Sequence, residues 1–157
     1  MKTKMFAAAS LATAVAALPL AAVANACGGG GEVPSDYTFL TPSGNIICSV
    51  YADNTGANCE VREHTWVAPA STTGPYGRVC DFNFGGLEIY VSHGKAANLG
   101  CYEGASAFRA SSAQTLDYGQ TLSRGAMACD SETSGVTCTD TGTGHFFRVS
   151  RDSYELG

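Results

Sequence analysis

The sequence predicts an all-β fold, a small disulfide-stapled sandwich or barrel of short antiparallel strands. Three observations carry this expectation. Apolar residues recur with period two rather than 3.6, as in Leu87-Glu88-Ile89-Tyr90-Val91. The candidate strands are short, and each is bounded by glycine, proline, asparagine or aspartate. Six of the seven cysteines are spread among those strands at intervals that suit local cross-links.

The chain opens on an export signal. Lys2 and Lys4 give a positive start, residues 5–23 are almost entirely small or apolar, and Pro19 interrupts the run. Ala24-Asn25-Ala26 then supplies the small-x-small pattern that a signal peptidase reads. Residues 1–26 are therefore expected to be removed. Cys27 stands immediately after the cut, where a bacterial lipoprotein carries its lipid-modified cysteine, and ordinary soluble secretion is the alternative. Parity favours the first: without Cys27 the cysteine count is six, an even number. Residues 27–35, which begin with the glycine run from Gly28 to Gly31, read as a flexible linker. A single all-β domain is expected from 36 to 157.

Within that domain strands are expected near 37–40, 45–51, 58–63, 87–91, 98–102, 126–130 and 136–139, with one long final strand over 146–151. The only helical turn expected lies around 106–113. Cys48 and Cys59 flank Tyr51-Ala52-Asp53-Asn54-Thr55-Gly56, which ends in turn-forming residues, so they sit on the two arms of a hairpin. Cys129 and Cys138 repeat the arrangement around 130–135. Facing cysteines on antiparallel strands meet the narrow spacing a disulfide requires. That leaves Cys80 and Cys101, so the expected bonds are Cys48–Cys59, Cys80–Cys101 and Cys129–Cys138. Six cysteines permit 15 pairings, and this one is favoured because each bond joins near neighbours. By loop closure each would contribute about 3 kcal/mol.

Removal of residues 1–26 takes away two of nine basic residues and none of fourteen acidic ones, leaving a formal charge of −7. That balance argues against a basic surface for nucleic acid or anionic lipid. The apolar share, 45%, is too high for a disordered chain. No C-x-x-C occurs, and His64, His93 and His145 are scattered, so the cysteines do not read as a zinc site.

Several segments together resemble a known family. Phe39-Leu40-Thr41-Pro42-Ser43-Gly44-Asn45-Ile46-Ile47-Cys48 is similar to its F-x-x-P-S-G-N-I-x-C opening, and Leu116-Asp117-Tyr118-Gly119 to its L-x-Y-G step. Gly135-Val136-Thr137-Cys138, Gly144-His145-Phe146-Phe147 and Ser150-Arg151 are similar to its G-x-x-C … G-H-x-F-x-x-S-R ending. The family comprises small exported bacterial proteins, many of them lipoproteins, known as a domain of unknown function. Phe146 departs from it, since members often carry glycine there. The resemblance spans nearly the whole exported domain and implies export and a disulfide-bonded fold. It brings no activity and no functional residue.

The candidates for chemistry are few. Ser43 lies in a segment whose composition is that of a β-turn, which accounts for it better than a nucleophile. Ser92-His93-Gly94-Lys95 matches S-x-x-K but lacks the S-D-N and K-T-G companions of serine–lysine acyl transfer. His145, between a glycine turn and two aromatics, is the best candidate for a general base, although no partner can be named for it. Asp130, Glu132 and Asp140 lack calcium-loop spacing and read as solvated turn residues. Trp66, Tyr76, Phe82, Phe84 and Tyr102 supply either a carbohydrate- or partner-binding surface or core filling.

No catalytic constellation, cofactor motif or metal set emerges. The function expected from sequence is a non-enzymatic binding or interaction module of the cell envelope, periplasmic or extracellular. Acidity favours a basic protein partner, and a lipid at Cys27 is the only membrane attachment foreseen. The alternative is a small secreted hydrolase using His145.

Overall fold

A computed structural model describes residues 36–74, 77–81, 85–103, 105–109 and 113–157. The expected signal, Cys27 and linker lie outside these residues, as do Tyr76, Phe82 and Phe84. No described helix is long and apolar enough to cross a membrane.

The fold is all-β and open-edged, two sheets packed as a sandwich rather than closed as a barrel. The first sheet contains β1 (Tyr37–Leu40), β2 (Ile46–Val50), β3 (Gly56–Val61), β4 (Gly85–Ser92), β5 (Asn98–Glu103) and the two-residue β6 (Gln114–Thr115). Its order is β5-β4-β3-β2-β1-β6, antiparallel except for the β1–β6 pair. The second sheet is an antiparallel meander of β7 (Gln120–Arg124), β8 (Met127–Glu132), β9 (Gly135–Asp140), β10 (Phe146–Val149) and β11 (Tyr154–Leu156).

Alternation decides which side chains meet between the sheets. Val50, Ala57, Ile89 and Val91 from the first sheet join Met127, Val136, Phe147 and Val149 from the second in one buried cluster. Cys48 opposes Cys59, and Cys129 opposes Cys138, each pair with Cα atoms 4.0 Å apart, the close spacing of a narrow antiparallel pair. Both bonds lie in this core, and the pairing is the one expected from sequence. The third expected bond, Cys80–Cys101, ties the long segment after β3 to the edge strand β5.

Three sequence expectations change. The final strand does not run to 151: the Ser150 hydroxyl accepts the backbone N–H groups of Asp152 and Ser153, so the chain turns after Val149 and returns as β11. Where the sequence predicts a helical turn over 106–113, the described residues form a 3₁₀ turn, Ala107–Arg109, packed on β2. It is pinned there because Ser106 Oγ and the Ala107 N–H both donate to Glu60. Asp140, expected to be solvated, is completely buried.

Candidate functional site

The turns fall into two groups at opposite ends of the sandwich. At one end the β1–β2 turn, the residues just past β3, the β8–β9 turn and the β10–β11 turn surround a cleft of about 500 Å³. The β1–β2 turn is shaped by Thr41, whose hydroxyl accepts the Ile46 N–H while the Thr41 carbonyl accepts that of Gly44. Gly44 has φ +68°, a conformation that suits glycine. Ser43 is spent inside this turn: its hydroxyl bonds Thr41 Oγ1 and accepts the Asn45 N–H. The Asn45 amide pairs in both directions with the backbone of Glu63, extending the sheet by one rung. No histidine approaches Ser43 in these contacts, so the turn reading accounts for it.

The opposite wall is equally fixed. Glu132 pairs with Arg148 at 3.7 Å and accepts from Ser134. Trp66 Nε1 donates to the Ser150 carbonyl, and the Thr65 N–H donates to that of Arg151, so the segment after β3 is bolted to the β10–β11 turn. Trp66 also stacks on His64 and meets the edge of Tyr154, which assigns it to packing. Four segments singled out in the sequence converge here: Ser43-Gly44-Asn45-Ile46, Tyr118, Gly135 and Ser150-Arg151 all line the cleft. Spacing along the chain could not have shown that convergence.

At the far end lies an arrangement that sequence reasoning missed. The buried Asp140 carboxylate accepts the Gly94 N–H at 2.8 Å, Thr143 Oγ1 at 2.9 Å, the Gly142 N–H at 3.0 Å and His93 Nδ1 at 3.1 Å. The Gly94 N–H above all, helped by Thr143, Gly142 and His93, holds this carboxyl well below the usual carboxylate range despite its burial. An ionised carboxylate only accepts, so His93 carries its proton on Nδ1 and presents Nε2 outward. The signal available in sequence was only that His93 and Asp140 each sit at the end of a predicted strand.

His93 thus has the orienting partner of a general base. Among the described residues no serine, threonine or cysteine is hydrogen-bonded to it, which leaves the arrangement without a nucleophile. His145 is part of the same turn through its backbone: its N–H donates to Thr143 Oγ1 and its carbonyl accepts from Asp140 N. Its ring has no hydrogen-bond partner among the described residues. Ser92 and Lys95 are joined only as a turn, Lys95 N–H to Ser92 carbonyl.

No protein-family model, curated protein or solved structure matches the chain. Its chemistry therefore rests on its own geometry.

Asp130, Glu132 and Asp140 do not converge on a calcium site. Asp130 accepts the Thr121 hydroxyl across the β7–β8 pair, and Glu132 and Asp140 lie at opposite ends of the second sheet. The one grouping of three metal-type donors among the described residues is Cys48, Cys59 and Cys138, whose sulfurs are already engaged in disulfides. Tyr102 lies on the outer face of the first sheet over Gly86, where burial pushes its hydroxyl pKa upward.

Three disulfides indicate that the domain folds in an oxidising, extracytoplasmic environment.

Proposed function

We propose that this domain is a non-enzymatic binding module of the cell envelope, which seats a polar group of its partner in the cleft between the β1–β2, β8–β9 and β10–β11 turns. The observation that carries the reading is the convergence of turns from two disulfide-locked sheets on one preformed, polar-lined concavity of ligand size. The hydrolase alternative has less support, because neither His93 nor His145 is joined to a nucleophile among the described residues. We read the domain as periplasmic or extracellular, with Cys27 as the point of lipid attachment. The family resemblance fits this reading, since four of its five segments reach the same cleft, the exception being Gly144-His145-Phe146-Phe147.

The test is heteronuclear NMR of the oxidised, exported protein against a panel of amino acids, dipeptides, sugars and inorganic phosphate. Amide shifts concentrated in 41–46, 62–63, 132–135 and 150–152 support the cleft. Shifts confined to 92–95 and 140–145, accompanied by turnover of an ester or peptide that His145→Ala abolishes, would replace the binding module with an enzyme.

A further inference from the structure

We propose that the group seated in the cleft is the carboxylate end of an amino acid or short peptide, its neighbouring amine directed at Glu63. This rests on the cleft being the binding site and adds the chemistry of its occupant. The fold has already used many of the lining groups. Thr41, Ser43, Asn45, Ser134 and Ser150 spend their side chains inside the turns. Among the acids, Glu132 is paired with Arg148. What remains among the described residues is two guanidiniums, Arg62 and Arg151, two carboxylates, Glu63 and Asp152, the second touched only by the Thr65 hydroxyl at 3.5 Å, and the hydroxyls of Tyr118 and Thr133.

Both guanidiniums are carried on fixed backbone. Arg62 donates its N–H to the Asn45 carbonyl and lays its guanidinium over the Phe108 ring, 4.4 Å from the centroid. Arg151 stands in the turn shaped by the Ser150 hydroxyl and held by Thr65. A guanidinium offers parallel N–H groups that match a carboxylate in two-point contact. Although the chain as a whole is acidic, the four charges left in the cleft, two of each sign, sum to zero. A lysine- or arginine-rich segment would meet two carboxylates there but also two guanidiniums. A phosphate would satisfy these but bring two negative charges against Glu63. A carboxylate with an adjacent ammonium satisfies both signs at once.

The experiment titrates the exported protein with alanyl-alanine, its C-terminal amide, its N-acetyl form and inorganic phosphate, reading cleft amides by NMR. The free dipeptide is expected to shift them, and amidation to weaken binding by roughly tenfold or more, as loss of a charge-assisted pair implies. Arg151→Ala should weaken the free dipeptide similarly. Glu63→Gln should remove most of the advantage of the free amine over the acetylated form. Both residues are exposed, so near-ultraviolet circular dichroism should confirm an unchanged fold. The proposal is overturned if amide and acid bind alike, or if phosphate binds more tightly than the dipeptide. If the dipeptides fail while another panel member still shifts these amides, the carboxylate assignment falls and the cleft stands. If nothing shifts them, both fall.

Discussion

Cys59 and Cys138 belong to different disulfides in different sheets, yet their sulfur atoms lie 4.0 Å apart. The two disulfides, Cys48–Cys59 and Cys129–Cys138, therefore lie side by side in the buried cluster, with the sulfurs of Cys48, Cys59 and Cys138 all within 4.8 Å of one another. Each hairpin is locked internally, and the two locks provide part of the packing between the sheets. The Cys48→Ser, Cys129→Ser double variant leaves Cys59 and Cys138 facing each other. On air oxidation these are expected to form a bond between the sheets, seen as a cross-linked peptide pair and an intact mass four hydrogens below the fully reduced form, two for this bond and two for Cys80–Cys101. Recovery of two alkylatable thiols from a folded variant would show that the sheets cannot close the remaining gap.

The Asp140 carboxylate joins the β4–β5 turn of one sheet to the β9–β10 turn of the other. Its pKa is held below the unfolded value near 3.8 by N–H and O–H donors that favour the charged form. Between the folded and unfolded values the unfolded chain binds more protons, so stability rises with pH there and is full above about pH 5. Asp140→Asn keeps the size but turns an amide toward donors that need an acceptor. It should lower the melting temperature at pH 7 by roughly 5 °C or more and flatten the loss between pH 4 and pH 2. A variant that melts like the parent at both ends of that range would remove the carboxylate from the role of clasp.

Most of the fold was legible because hairpins advertise themselves locally. Cys48 and Cys59 flank Asp53-Asn54-Thr55-Gly56, and Asn54 does take positive φ, 61°, in that turn. The strands without such a signal were missed. β7, Gln120–Arg124, is an edge strand whose one apolar residue, Leu122, packs against the core, so it has no apolar alternation to read. β6 is two residues long and pairs in parallel with β1, a partnership made by the crossing between sheets rather than by any neighbouring turn. The candidate site was legible only as fragments. Ser43 and Arg151 are 108 positions apart, and their meeting depends on how the sheets stack. Asp140 misled for a related reason: its composition is that of a solvated turn, and its burial is made tolerable by donors of a turn from the other sheet, Gly94 and His93, added to those of its own.

On the outer face of the first sheet Glu60 and Glu88 stand directly opposite each other on β3 and β4. Glu60 is buried and engaged by Ser106 and Ala107; Glu88 accepts Asn58 Nδ2 at 2.7 Å. Burial, with a contribution from the Glu60 charge, raises the Glu88 pKa, and the same acidic face pushes the Tyr51 hydroxyl up to about 12, burial again being the larger cause. The folded state thus holds the Glu88 proton more tightly than the unfolded one, and stability falls as pH rises through that interval. Glu88→Gln keeps an acceptor for Asn58 and removes the like charge. It should stabilise the protein at pH 7 by about 0.5–1 kcal/mol, with the gain vanishing below pH 4. Urea midpoints at the two pH values decide it, and a loss at pH 7 would mean that Asn58 needs the full charge.

Gly135 opens β9 with φ +138°, and a Cβ placed on it would lie 2.3 Å from the Val149 carbonyl oxygen on β10. Two demands therefore fall on one residue, a backbone conformation closed to most side chains and a strand partner already in contact. Gly135↔Glu132 and Val136↔Val149 are the pairs that set the register of the β8–β9 and β9–β10 ladders at the cleft. Gly135→Ala should cost about 2–3 kcal/mol by forcing β9 and β10 apart. The damage should be local as well as global: amide exchange should quicken first at 135–137 and 147–150, at the cleft, before it does at the Asp140 end. Uniform acceleration through both sheets would show that the glycine serves overall stability and not the shape of the cleft wall.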